Sequence, residues 1–292
     1  MFKKAINLLA VLLISVSCAN LSSKTKSPIK IEVKEIQIQP GMVQFLSFPL
    51  PDDLASSELY CKNKKLTYFQ KDNQGISYLP EDYFSDQKPF DCYLQVGKYK
   101  EQIYKVKVAD YKYQEEVLKV DPKKVELSKE DQERVNRENI MLNKVYAESS
   151  YRPLFDGPFT TPLKTKVTSE FGTKRTYNKK MKGQHLGIDF RAPVGLPIPN
   201  SNRGKVVFAA DLFYTGNTII IDHGMTIFTV YAHLDSIAVK EGQIVDKGDI
   251  LGKGGMTGRV SGPHLHWGVK IQGERVSGFS LIEASKKHFA TK

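Results

Sequence analysis

Five of the six histidines lie in one part of the sequence, between residues 185 and 266. Two of them, His264 and His266, are separated by a single residue in the segment SGPHLHWGV. The apolar residues around them are typical of a β-strand. On a strand, residues i and i+2 point to the same face and lie about 6.6 Å apart. The spacing therefore predicts that both imidazole rings face one site.

A histidine and an acid form a second pair, because Asp189 follows His185 by four residues in GQHLGIDF. A catalytic zinc ion takes three protein ligands, such as imidazole and carboxylate, and keeps a fourth position open. On a straight strand His185 and Asp189 would lie about 13 Å apart. They can share one ion only if the chain bends, and Gly187 permits a bend. Either pair alone is a weak signal, since histidines on a strand face are often surface residues, but together they favour a metal site.

Three motifs follow one another along the chain: His185-xxx-Asp189, Tyr231-Ala232-His233-Leu234 and Gly262-Pro263-His264-Leu265-His266. Three further segments accompany them, namely Thr168-Ser169-Glu170-Phe171-Gly172, Gly255-Met256-Thr257-Gly258 and Trp267-Gly268-Val269. Together they resemble the lysostaphin/LytM-type zinc metalloendopeptidases, which cut peptide bonds in bacterial peptidoglycan. The resemblance covers about residues 160–275. The region ahead of this domain is similar to the N-terminal part of some Gram-negative members.

The resemblance implies that His185, Asp189 and His266 bind one Zn²⁺ per chain. It implies that His233 and His264 are a catalytic pair that does not bind the metal. Zinc would acidify its water and polarise the scissile carbonyl. One histidine would accept the proton of the water, and the other would stabilise the oxyanion. We favour His264 as the base and His233 as the stabiliser, and the reverse assignment stays open.

Two other histidines are not expected to act in catalysis. His223 lies in Asp-His-Gly, which reads as a turn after a strand, and we expect a structural role. His288, near the C-terminus, is expected to be solvated. The basic segment 175–182 is either a solvated loop or part of the cleft, in which Tyr177 or Asn178 contacts substrate.

The elements that must position these residues are predicted to be mainly β. Residues 150–292 are rich in glycine and in short β-branched runs, which predicts an antiparallel β peptidase domain without a long helix. Residues 29–110 contain about seven short alternating runs separated by turns, which predicts an immunoglobulin-like β-sandwich. Cys61 and Cys92 lie in two of its strands and form either a disulfide or two buried thiols.

Residues 111–149 are predicted to be a linker and a connecting helix. Ser128 can cap a helix that extends to about Ala147, with Val135, Leu142 and Val145 on one face. We interpret this helix as a strut between the two domains. The alternative is a regulatory plug over a site.

Residues 1–19 have the basic start, the short apolar core and the small residues of a secretory signal, and residues 20–28 are a flexible tether. Cys18 is either lipidated, which would anchor the chain to a membrane, or removed with the signal. We therefore expect an exported monomer in the periplasm or cell envelope. The formal net charge of +11 favours an anionic partner. Export makes that partner peptidoglycan and not nucleic acid.

The sequence thus predicts an exported zinc endopeptidase that acts on peptidoglycan cross-links. The first alternative is a non-catalytic peptidoglycan-binding protein that activates a cell-wall amidase. The second is an elastase-like protease that uses the same site on glycine-rich proteins.

Overall fold

The computed structural model describes residues 31–50, 56–118, 127–177 and 181–290. The predicted signal, the tether and Cys18 lie outside these ranges. The described residues form 21 strands and two helices, and the prediction of a mainly β protein is confirmed. Neither helix is long and apolar enough to cross a membrane, as judged over the described residues.

The N-terminal region is a sandwich of two sheets. Its strands are β1 (Lys34–Ile38), β2 (Val43–Pro49), β3 (Glu58–Cys61), β4 (Lys64–Leu66), β5 (Tyr68–Lys71), β6 (Gln74–Pro80), β7 (Phe90–Val96) and β8 (Tyr99–Val108). One sheet has the order β1-β8-β7-β3-β4, and the other has the order β2-β6-β5. Alternating apolar residues from both sheets meet in one core, because side chains on a strand point alternately to its two faces.

A disulfide joins Cys61 to Cys92 within this core. The two cysteines are directly opposite each other on β3 and β7, which are neighbours in the larger sheet. The prediction of a disulfide is therefore confirmed. The bridge links adjacent strands of one sheet and does not connect the two sheets.

The connecting helix α1 spans Lys129–Ala147. Its first turn is capped as predicted, since Asp131 N donates a hydrogen bond to Ser128 Oγ at 3.1 Å. Leu142 and Val145 pack against a small apolar cluster on the C-terminal sheet, and Glu138 accepts a hydrogen bond from Phe213 N. These contacts attach α1 to the C-terminal sheet, and its role as a strut between the two domains stays a prediction.

The C-terminal region is built on a sheet of ten strands, and three further strands, the first of which lies in the linker, form a separate sheet. The strands from here to the end of the chain are β9 (Glu115–Leu118), β10 (Val167–Ser169), β11 (Lys174–Tyr177), β12 (Met181–Gln184), β13 (Ile188–Arg191), β14 (Pro197–Pro199), β15 (Gly204–Leu212), β16 (Gly216–Asp222), β17 (Ile227–Ile237), β18 (Ile244–Val245), β19 (Ile250–Gly254), β20 (His264–Ile271) and β21 (Glu274–Val276). The main path is β10-β13-β20-β17-β16-β15-β18, and every pair along it is antiparallel. This antiparallel sheet agrees with the prediction.

A second helix, α2, spans Gly278–Ala290, so the expectation of a C-terminal domain without a long helix was wrong. Leu281, Ser285 and His288 lie on its buried face, at the spacing of successive helical turns. Gly278 begins the helix against the indole of Trp267, where an added Cβ would lie 2.2 Å from the ring.

His288 is buried, with only 7% of its surface exposed, and the prediction of a solvated residue was wrong. Its Nδ1 lies 2.9 Å from Tyr78 Oη, and its ring stacks on Phe45 of the N-terminal sandwich. Because α2 packs between the two regions, a histidine near the end of the chain becomes part of the interface between them.

Candidate metal centre

His185 and Asp189 come together because the chain bends between β12 and β13. The bend lies at Gly187, as the sequence predicted. A Cβ at this position would lie 2.3 Å from His266 Cε1 and 2.4 Å from His266 Nε2. Only glycine therefore allows the backbone to approach the His266 ring this closely.

Strand β20 brings the second pair of histidines to the same place. β13 and β20 are antiparallel neighbours, and Asp189 is directly opposite His266. His264 and His266 are both partly buried on one face, while Leu265 between them is fully buried on the other. The two-residue period of the strand thus places both rings beside Asp189.

Three donor atoms converge at this point. His185 Nε2 lies 2.9 Å from Asp189 Oδ1 and 3.1 Å from His266 Nδ1, and His266 Nδ1 lies 2.9 Å from Asp189 Oδ1. Ligands at 2.0–2.2 Å in a tetrahedral zinc site are about 3.4 Å apart, so the observed spacings differ from this by about 0.5 Å or less. Two imidazoles and one carboxylate also match the donors of catalytic zinc sites.

The hydrogen bonds around His185 add a second argument for a cation. Its Nδ1 lies 2.9 Å from the backbone oxygen of Glu170, which can only accept, so Nδ1 carries the proton. In the neutral ring, Nε2 then has a lone pair that faces the carboxylate of Asp189. Two acceptors at this distance repel each other unless a proton or a metal ion lies between them. The residues present therefore fit a zinc ion.

The ionisation of Asp189 is consistent with this role. Burial raises the pKa of this carboxyl, but in the metal-free site the protonated forms of His185 and His266 outweigh burial and hold its pKa well below the usual range. Asp189 is therefore an anion at neutral pH, which is the form that binds a metal.

His233 reaches the site through an irregularity in β17. Its φ is +63°, in the left-handed region that is uncommon for residues other than glycine. The pairing of β16 with β17 shifts by one residue at this point, which is a β-bulge. The His233 ring centroid consequently lies 4.8 Å from that of His264 and 6.0 Å from that of His266. Backbone strain of this kind is concentrated at functional sites.

Both catalytic candidates have their tautomer fixed by a backbone oxygen. His233 Nδ1 lies 3.0 Å from Thr257 O, and His264 Nδ1 lies 2.8 Å from Gly262 O. A carbonyl oxygen only accepts, so each Nδ1 carries the proton and each Nε2 is unprotonated in the neutral ring. His264 Nε2 lies 3.8 Å from Asp189 Oδ1, beside the converging donors. Burial, followed by the charges of His266 and His264, lowers the pKa of His233 to about 3.

The structure thus brings together all five residues predicted for the site. The backbone oxygens of Glu170, Thr257 and Gly262 were not predicted to contribute, although they lie in the motifs that carried the resemblance. Tyr113 and Tyr83 hold the loop that carries Glu170: a Cβ on Gly172 would clash with the Tyr113 ring, and Tyr83 Oη donates to Gly172 O at 2.9 Å.

The remaining predictions near the site have different outcomes. His223 is fully buried away from the donors, and its Nδ1 and Nε2 lie 2.8 Å from Arg203 O and Thr229 Oγ1, which supports a structural role. Asn178 and the side chain of Tyr177 lie outside the described part of the chain, so their predicted contact with substrate stays a prediction.

Two imidazoles, one carboxylate and two further histidines on an antiparallel sheet are typical of a zinc hydrolase site. Residues 183–277 match the family model described as Peptidase family M23. The matched residues include all five site residues.

Two curated relatives are similar to part of the chain. Peptidoglycan DD-endopeptidase ShyA of Vibrio cholerae is 41% identical over 115 residues, which are 39% of this chain and 27% of the relative. DD-carboxypeptidase/endopeptidase Mpg of Neisseria meningitidis is 35% identical over 133 residues, which are 43% of this chain and 31% of the relative. The chain thus spans less than a third of the length of either relative.

One solved structure is similar over most of the chain. The crystal structure of a candidate M23 peptidase from Pseudomonas aeruginosa has a TM-score of 0.64 and 26% sequence identity. The superposition covers 84% of this chain and 95% of that one. The similarity therefore extends well beyond the M23 match into the N-terminal region.

Proposed function

We propose that the protein is an exported zinc endopeptidase that hydrolyses peptide cross-links of bacterial peptidoglycan. The observation that carries this proposal is the convergence of His185, Asp189 and His266 beside two histidines with unprotonated Nε2 atoms. A site that only bound the wall would not need two imidazole bases next to three metal donors.

In this proposal His185 Nε2, Asp189 Oδ1 and His266 Nδ1 hold the zinc ion. Bound zinc would acidify the attacking water and polarise the scissile carbonyl. The Glu170 backbone oxygen keeps the His185 ring in the required tautomer, as hydrogen-bond partners of metal ligands commonly do.

His264 and His233 would move the proton. We assign His264 as the base, because its Nε2 is unprotonated and lies 3.8 Å from Asp189 Oδ1. His233 Nε2 is an acceptor in the neutral ring, so His233 can donate to the oxyanion only after it gains a proton. Negative charge developing on the substrate favours that protonated form. His264 would thus carry one proton from the attacking water to the leaving nitrogen, and His233 would donate to the oxyanion with a second proton taken from solvent.

The choice of substrate rests on three observations. Both curated relatives named above are peptidases, and the name of one specifies peptidoglycan. The net charge of +11 favours an anionic polymer. The pattern of residues 1–19 favours export to the compartment where peptidoglycan lies.

Digestion of purified sacculi tests the proposal. The zinc-loaded protein should convert cross-linked muropeptide dimers to monomers, as measured by liquid chromatography with mass spectrometry after muramidase treatment. His264→Ala should leave the dimers intact. Unchanged dimers with zinc-loaded wild-type protein would rule the proposed activity out.

The same experiment separates the alternatives. Release of whole stem peptides only when an amidase is added would favour an amidase activator. Cleavage of a glycine-rich protein, with sacculi left intact, would favour the elastase-like alternative. Neither alternative gains support from a specific contact in the described residues.

A further inference from the structure

We propose that Glu116, which precedes the M23 match by more than sixty residues, is a positioning residue for the metal centre that acts on Asp189 through Arg175. This inference rests on the proposed zinc site. In this inference, the linker that follows the N-terminal sandwich helps to hold the metal ligands in position.

The linker reaches the site because β9 pairs with β11. The two strands are parallel, and their register places Glu115 opposite Lys174 and Glu116 opposite Arg175. Lys174 N also donates to Gln114 O at 2.8 Å. β11 is in turn paired with β12, which leads directly to His185. The linker strand is therefore attached to the hairpin that ends at a metal ligand.

Arg175 connects this strand to Asp189. Its Nε donates to Glu116 Oε1 at 2.7 Å, and its Nη2 donates to Ser169 Oγ at 2.7 Å. The same Nη2 lies 3.6 Å from Asp189 Oδ2. The side chains of Arg175 and Asp189 are only 19% and 10% exposed, so their interaction is weakly screened by solvent.

The two oxygens of Asp189 consequently face different partners. Oδ1 faces His185 and His266, whereas Oδ2 faces the guanidinium of Arg175. Arg175 thus favours a carboxylate orientation in which Oδ1 faces His185 and His266, the side on which a metal ion would bind. Side chains that orient metal ligands in this way typically change metal affinity by 10- to 100-fold.

Glu116 has two effects on this arrangement, and both favour zinc binding. Its carboxylate holds Arg175 in place, and its negative charge offsets the repulsion between the guanidinium and a divalent cation. Removing Arg175 itself would have opposing effects, since orientation is lost while repulsion is relieved. Glu116→Gln is therefore the variant with a clear direction, and we expect a zinc Kd about 10-fold higher than that of the wild type.

Glu115 provides the matched control. It is the neighbouring acid on the same strand, and it pairs with Lys174 at 3.5 Å on the opposite face of β9 and β11. Glu115→Gln removes the same charge from the same strand without affecting Arg175. Its zinc Kd should stay within about twofold of the wild-type value, since exposed ion pairs contribute little.

The test is the zinc Kd of the full chain, measured by competition with a chromophoric chelator. Thermal unfolding of the metal-free proteins checks that each variant is folded. Glu116→Gln should weaken binding at an unchanged Tm, and should have no further effect when Arg175→Gln is already present. Equal Kd values for Glu116→Gln and wild type, or an effect that persists without Arg175, would overturn the inference. A wild type that binds no zinc would instead refute the proposed metal site, and this inference with it.

Discussion

Gly187→Ala is the substitution that tests the geometry of the metal centre most sharply. The new methyl group would lie 2.3 Å and 2.4 Å from two atoms of the His266 ring, and 3.1 Å from Trp267 O. Ordinary contacts of a Cβ are 3.4 Å or longer, so the ring or the backbone must move by about 1 Å. The contact with Trp267 O is also tighter than ordinary.

A shift of this size is large for a metal ligand. Metal–ligand distances in functional sites are held to within about 0.2 Å. A displacement of about 1 Å at a reacting centre can reduce the rate about 100-fold. We therefore expect Gly187→Ala to lower kcat/KM by at least about 100-fold and to weaken zinc binding by about 10-fold or more.

The assay combines zinc titration with hydrolysis of purified cross-linked muropeptides. Gly157→Ala is the matched control, because a Cβ there meets only the end of the Lys247 side chain, at 3.5 Å. The control should keep wild-type zinc affinity and activity. Wild-type behaviour of Gly187→Ala would mean that His266 does not occupy the position described, and the assignment of the three ligands would be wrong.

Three further predictions concern stability. Cys61→Ser should lower the free energy of unfolding by about 3–4 kcal/mol in chemical denaturation, because the bridge to Cys92 closes a loop with a separation of 31 residues; an unchanged value contradicts this. Burial lowers the pKa of His223 to about 4, so as the pH falls the unfolded chain takes up this proton before the folded chain does. About 3 kcal/mol of stability that is present above pH 6.5 should therefore be lost as the pH falls towards 4. His223→Gln should make the free energy of unfolding depend less steeply on pH over this range. An equally steep dependence in the variant would show that His223 is not its cause. Ser128→Ala should cost about 1 kcal/mol through loss of the α1 cap, as denaturation would measure.

The chemistry of the site could be predicted from the sequence because it depends on residue types at short spacings. The two-residue period of a strand places His264 and His266 on one face in any register. Gly187 indicated the bend between His185 and Asp189. The approach of these two segments to each other depends on the pairing of β13 with β20, and only the resemblance to a family implied that their residues share one site.

Other features could not be predicted because they depend on long-range contacts. The left-handed φ of His233 arises from a bulge between β16 and β17, and a sequence of β-branched residues does not reveal where a register shift occurs. The pairing of Glu116 with Arg175 joins residues 59 positions apart. Helix α2 had a usable signal, since Leu281, Ser285 and His288 follow helical spacing, and recognising it would also have predicted a buried His288.

The separation of metal ligands from catalytic histidines is the central claim, and the zinc content of two purified variants tests it most directly. His264→Ala should retain close to one zinc per chain, as measured by inductively coupled plasma mass spectrometry, because its Nε2 is 3.8 Å from Asp189 Oδ1 and outside the converging donors. His266→Ala should contain almost none, because it loses one of three ligands. Loss of zinc from His264→Ala, or full retention in His266→Ala, would contradict the claim.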